Sequence, residues 1–205
     1  MGTSSASSIP PRVEATPLRE ALRSVSAALR SFPDRGMIIG GIAVIAQGVA
    51  RTTHDVDATL ATTRDIAQIF GELERFDIHP RIDDALAHAR ARQELRLRHR
   101  TSGVDVDLSL AWLPFELDAL AAAEDVLLGS VEVTVARAED LVLYKAVTWR
   151  RKDQDDVERL VALHGKTMDL TRVRRVVAEL GASLEDETRA SEVERAVERG
   201  LGLVR

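Results

Sequence analysis

Asp55-Val56-Asp57 and Asp105-Val106-Asp107 repeat one pattern, two carboxylates at positions i and i+2 with a valine between them. On a strand these positions point to the same face, about 7 Å apart along the chain, so each pair converges on one volume. Paired carboxylates repel each other unless a cation compensates them, and a hard divalent ion with oxygen ligands, Mg²⁺ or Mn²⁺, is the natural partner. One such pair is commonly a solvated strand edge. Two in one small sheet are hard to explain as surface decoration. If the strands are neighbours, Asp55, Asp57 and one of Asp105 or Asp107 make a three-carboxylate site able to hold two metals for in-line attack on phosphorus. Upstream, Gly40-Gly41 falls where a short apolar, strand-like run gives way to an apolar, helix-like one. Residues without a Cβ let the backbone approach a ligand, and the free amides of a helix start form a cradle for an anion such as a triphosphate.

Positioning those groups requires strands in register and helices to cover them. Leu18, Leu22, Val25 and Leu29 recur every three or four residues, predicting a helix over 18–32 that stops before Pro33. MIIGG predicts a short strand, IAVIAQGVA a helix, and the alternating DVDATLA a strand over 55–61. Helical spacing follows over 64–76 and, less regularly, over 83–92. ELRLRHR and VDVDLSLAW alternate on either side of Thr101-Ser102-Gly103, which predicts a hairpin. A Pro-initiated helix over 114–123 and a strand pair around 131–136 come next, and then only helices, over 138–150, 153–164, 170–180 and 184–201. This order implies an α+β protein with a small mixed β-sheet flanked by helices over 18–136 and a C-terminal helical subdomain over 137–205. A Ser/Pro/Thr-rich tail over 1–17 precedes them and is expected to be disordered.

Composition removes several classes of function. A chain of 205 residues with 45% hydrophobic and 30% charged residues is globular in type, neither disordered nor collagen-like. No apolar run reaches the ~20 residues that cross a bilayer, so no membrane partner is expected. Cysteine is absent, so any metal sits on oxygen or imidazole, and the five histidines show no ligand spacing. A net charge of -5 argues against non-specific coating of nucleic acid. The start of the chain lacks a signal-peptide pattern, which makes the cytoplasm the expected compartment. Arg96, Arg98 and Arg100 share one face of a predicted strand, either guiding a polyanion or forming a solvated sheet face.

The run from Gly40-Gly41 through Arg51-Thr52-Thr53 to Asp55-Val56-Asp57 resembles the polymerase-β-like nucleotidyltransferase superfamily. That pattern is a G-[GS] helix, then D-x-D, then a single later Asp on a strand. The segment ARAEDLVLYKAVTWRRKDQDDVERLV resembles the E-D-L-x-x-x-K…R-x-K-D-x-x-D stretch of minimal nucleotidyltransferases that include AbiEii-type toxins of type IV toxin–antitoxin pairs. The chain carries GGIAV where those toxins more often show GGTAL, so one hydroxyl near the phosphates is missing.

The resemblance implies a nucleotidyltransferase core in which Asp55 and Asp57 are the metal pair and Gly40 and Gly41 cradle the triphosphate. It makes Asp107, with Asp105 as the alternate, the third carboxylate, which deprotonates the acceptor hydroxyl or binds the catalytic metal. Lys145 matches a family lysine that contacts nucleotide phosphate, and its amphipathic helix equally suits a lysine snorkelling from a packed face. Asp153 or Asp156 matches a later acidic motif, within a stretch that also reads as a charged helix junction. Arg51 and Thr52 precede the acidic pair, and Arg51 either contacts phosphate or pairs with an aspartate.

The implied reaction moves a nucleoside monophosphate from an NTP to a hydroxyl, with Mg²⁺ or Mn²⁺ as cofactor and pyrophosphate released. Its acceptor stays open. A tRNA 3′ end would suit a toxin with an antitoxin partner, a protein hydroxyl an AMPylating enzyme, and a small alcohol a resistance enzyme. Two other readings are a catalytically silent nucleotide-sensing or partner-binding module of the same fold, and a metal phosphohydrolase using the same carboxylates.

Overall fold

The computed structural model describes residues 16–203. Along these the chain runs α1 (Thr16–Ser31), β1 (Gly36–Ile38), α2 (Gly40–Ala46), β2 (Val56–Leu60), α3 (Ile66–Glu74), β3 (Ile78–Pro80), α4 (Ala85–Arg92) and β4 (Glu94–His99). It continues through β5 (Asp105–Leu110), α5 (Pro114–Ala121), β6 (Glu124–Leu128), β7 (Val131–Val135), α6 (Ala138–Thr148), α7 (Arg151–His164), α8 (Leu170–Ser183) and α9 (Arg189–Gly202). The expected tail over 1–17 lies outside the described residues apart from Thr16 and Pro17, which open α1.

Seven strands form one mixed sheet in the order β3-β4-β5-β2-β1-β7-β6. The pairs β1–β7 and β2–β5 are parallel and the rest antiparallel. The parallel β2–β5 pair decides the site, because its register sets Asp57 directly opposite Asp107 and Val56 opposite Val106. Local sequence supports this arrangement on both sides. Val56, Leu60, Val106 and Leu108 are buried, so a one-residue slip would expose them and turn the carboxylates into the core. The β4–β5 hairpin then places Arg96 opposite Asp107 and Arg98 opposite Asp105.

Helices close the sheet. Leu22, Val25 and Leu29 of α1 are buried, and α1 packs on β1, β2 and β7. Helix α6 carries Leu141, Val142 and Leu143 at zero exposure and packs against α2, α5, α7 and α8. Among the described residues no helix is long and apolar enough to cross a membrane.

Several boundaries differ from the sequence expectation, among them β6, which lies at 124–128 ahead of the expected strand pair. Strand β3 is new: it is three residues long, ends at Pro80 and lies at the sheet edge, where a residue without an N–H is tolerated. Helix α9 begins at Arg189 instead of 184, because Leu184 closes α8 and Glu185 takes a left-handed conformation at φ 54. Strand β2 starts at Val56, leaving Asp55 just outside it.

Candidate active site

Asp57 projects from β2 beneath the turn that starts α2. Gly40 has φ +61, and a Cβ there would collide with the Asp57 carboxylate. A Cβ on Gly41 would stand 2.5 Å from Thr53 Oγ1 and 2.8 Å from Thr53 Cβ. Both glycines are therefore required by close approach, and what approaches them is Asp57 and Thr53. The Gly41 backbone N–H donates toward the Asp57 carboxylate, and the Ile39 N–H donates to the Asp57 carbonyl at 2.9 Å. Thr53 Oγ1 donates to Asp55 Oδ1 at 2.6 Å, fixing the second carboxylate. Thr52, expected beside the nucleotide, points to solvent, and it is Thr53 that lines the cleft.

Burial, followed by the charges of Asp55 and Asp107, raises the Asp57 pKa from 3.8 to about 6. Lys145 and the Gly41 amide only partly oppose this. Among the described residues neither Asp55 nor Asp57 has a cation within ion-pair distance.

Asp107 differs. Its Oδ1 accepts from Arg81 Nη2 at 2.6 Å and its Oδ2 from Arg96 Nη1 at 2.8 Å. Arg96 also reaches Glu94 at 3.0 Å, and Arg98 Nε donates to Asp105 at 2.7 Å. Two of the three arginines suspected of greeting a polyanion are thus held in cross-strand ion pairs. Asp105 lines an adjoining groove with His54, Asp55, Arg81, Arg98 and Asp107, and of the later pair it is Asp107 that also lines the cleft with Asp57.

The facing wall comes from the α6–α7 junction. Trp149 adopts a left-handed φ of 47, which ends α6, and Arg150 caps α7. Asp153, with no exposed side-chain surface, accepts from Arg150 N at 2.9 Å, Arg150 Nε at 3.0 Å, Thr148 Oγ1 at 2.8 Å and Lys145 Nζ at 3.2 Å. Burial pushes its pKa up, but those donors and the Lys145 charge outweigh burial and hold it at about 2. Lys145 also meets Asp156 Oδ2 at 2.9 Å, and Asp156 binds Arg51. Lys145 and Arg51, both expected at phosphate, are therefore paired with aspartates, while still lining the cleft. Asp153 and Asp156 point inward and Asp155 outward to Arg151, a split that the i, i+3 spacing with Val157 and Leu160 encodes.

These elements enclose a cleft of about 500 Å³, within the ordinary range for small-molecule sites. Asp55, Asp57 and Asp107 occupy one part of it, with Arg96, Arg150 and Lys152 bringing positive charge. Among the described residues no group of three or more His, Asp or Glu side chains is spaced to hold a metal ion unaided. The donor chemistry still fits Mg²⁺, which commonly takes one or two carboxylates and completes its shell with water and substrate phosphate. Asp55 and Asp57 are the two that would hold it.

A carboxylate pair without a contacting cation, set against a glycine turn in a mixed sheet backed by C-terminal helices, is the arrangement that the nucleotidyltransferase resemblance implies. A family model described as nucleotidyltransferase of unknown function (DUF6036) matches residues 20–199, and the chain belongs to that family. No curated protein matches it. Among solved structures, an antigenic nucleotidyltransferase-like protein from Paracoccidioides brasiliensis is similar at 15% identity and TM-score 0.47, covering 85% of this chain and 91% of that one. JHP933 from Helicobacter pylori is similar at 12% identity and TM-score 0.43, covering 92% and 89% respectively.

Proposed function

We propose that the chain is a Mg²⁺-dependent nucleotidyltransferase that moves a nucleoside monophosphate from an NTP to a hydroxyl and releases pyrophosphate. The observation that carries this reading is Asp57, a half-buried carboxylate raised to about 6 beside Asp55 and Asp107, facing a cleft large enough for a nucleotide. Such a pair costs stability unless a cation joins it, and Asp55 and Asp57 would hold a divalent ion there. When bound, the ion would neutralise charge on the transferring phosphoryl group.

The chain's own residues do the rest by positioning, as phosphoryl transfer requires. Thr53 fixes Asp55. Arg150 and Lys152, at the edge of the cleft, bind and orient the phosphates. Arg81 and Arg96 hold Asp107, which receives the acceptor proton once one guanidinium turns to substrate. The favoured acceptor is an RNA 3′ hydroxyl, in line with the toxin resemblance. Growth arrest on expression, relieved by a neighbouring gene product, would support that acceptor and an antitoxin partner.

The test is incubation with each α-labelled NTP, Mg²⁺ and pooled RNA or protein acceptors. Labelled acceptor with equimolar pyrophosphate is expected, with transfer about 10²- to 10³-fold slower in Asp57→Asn. No labelled acceptor with any nucleotide, and no difference between wild type and Asp57→Asn, would overturn the reading. Release of phosphate in place of pyrophosphate would indicate a hydrolase. One observation favours a catalytically silent nucleotide-binding module, namely the double guanidinium clamp on Asp107. Calorimetry separates it, since that module would bind NTP with little dependence on Mg²⁺ and without turnover.

A further inference from the structure

The cleft has a second end that the carboxylates do not use. It extends from Asp107 to the end of β5 at Leu110, roughly 10 Å at about 3.3 Å per residue, and on past the strand to Trp112. At the far end stand Trp112, Leu113, Leu180 and Leu184, around the polar heads of Glu116 and Tyr144.

Three features there bear on a ligand. Trp112 is 68% exposed, while the only other tryptophan, Trp149, is buried. Tyr144 packs edge-on against Phe115 at 5.2 Å, yet its buried hydroxyl has no hydrogen-bond partner among the described residues. The polar group nearest it is the Thr59 hydroxyl, itself buried and without another partner among the described residues. A buried phenol normally finds a partner, so an unpaired one lining a cleft points to a ligand. Glu116, 7% exposed, accepts the Trp112 and Leu113 backbone N–H groups at 3.0 and 2.9 Å, both on Oε2. Oε1 takes no part in that cap.

We propose that this end is a nucleobase subsite, in which Trp112 stacks on the base of the NTP, Glu116 Oε1 accepts from its N–H edge and the Tyr144 hydroxyl completes the pairing. The proposal rests on the transferase reading and names its donor specificity. An aromatic face suits every base, whereas a carboxylate that only accepts favours bases carrying an amino group. Uracil presents N3–H between two carbonyl oxygens, which would face the carboxylate and repel it. ATP, CTP and GTP are therefore the expected donors over UTP.

Calorimetry and tryptophan emission test this with the intact chain, using the four NTPs, RNA and inorganic tripolyphosphate as probes. Wild type should bind amino-bearing NTPs at least about fivefold more tightly than UTP, and Glu116→Gln, which keeps the cap, should narrow that gap. Trp112→Ala should weaken NTP binding about tenfold and leave tripolyphosphate unchanged. NTP should quench the emission of wild type but not of Trp112→Phe, an exposed and conservative change.

NTP and tripolyphosphate binding equally well to wild type would overturn the subsite and leave the transferase reading standing. So would an effect of Trp112→Ala on RNA binding alone, which would assign this end to the acceptor. If neither probe binds wild type, the transferase reading falls and the subsite with it.

Discussion

Asp57 and Asp153 line the same cleft, the first half-buried and the second fully buried, yet they have opposite electrostatic fates. Asp57 sits among carboxylates with no cation in contact and is raised to about 6. Asp153 collects a lysine, an arginine, a hydroxyl and a backbone N–H, and is held at about 2. Burial acts in the same direction on both, so the difference lies in their partners. The α6–α7 junction is an ion cluster complete within the protein. The strand site is incomplete, and under the proposed function a substrate-bound cation would supply its missing positive charge.

The largest effect should come from breaking the complete side. Asp153→Ala leaves Lys145 with Asp156 alone and unpairs the first turn of α7, and is expected to cost about 2–4 kcal/mol in urea denaturation. Asp57→Asn should do the reverse, stabilising the ligand-free protein by about 1–2 kcal/mol at pH 7.5 while transfer is lost. A destabilised Asp57→Asn would show that the strand pair already has its compensation.

The pH dependence sharpens the contrast. Asp57 has its folded pKa raised, so its stabilising contribution is full below about 4 and lost as pH rises through 6. Asp153 has its folded pKa lowered, so its contribution is full above about 4 and lost as pH falls toward 2. The advantage of Asp57→Asn over wild type should accordingly shrink to roughly a third between pH 7.5 and 4.5, followed by denaturation midpoints at each pH. Over that window the cost of Asp153→Ala should stay nearly constant.

The smallest effect is expected at the clamp. Arg81→Ala removes one partner from a part-exposed pair and should cost less than about 1 kcal/mol. By freeing Asp107 it should also tighten Mn²⁺ binding about threefold, measured by calorimetry.

The sequence displays the strand site more openly than the helical one, and the reason is local periodicity. Gly40-Gly41 and the two D-V-D runs carry their geometry in spacing alone, since strand alternation puts i and i+2 on one face. What spacing cannot carry is the parallel pairing of β2 with β5, separated by α3, β3, α4 and β4, which brings Asp57 opposite Asp107. The arginine clamp follows from that same register, so Arg96 and Arg98 looked free in the sequence and are paired in the fold. Trp112 lies in the stretch LSLAWLPF that resembles the family's run after its later Asp, Glu116 carried no motif, and only the fold brings the two to the cleft. At the α6–α7 junction the charges were visible but not their direction. Asp153 and Asp156 fall on the buried face of α7 with Val157 and Leu160, and a helical reading of that face would have turned them inward.

Mn²⁺ binding followed by electron paramagnetic resonance asks most directly which carboxylates await a cation. Wild type should take up the ion, Asp55→Asn and Asp57→Asn should each bind it at least about tenfold more weakly, and Asp156→Asn should match wild type. Undiminished binding in Asp57→Asn, or a loss confined to Asp156→Asn, would contradict the assignment of the strand pair as the chemical centre of the cleft.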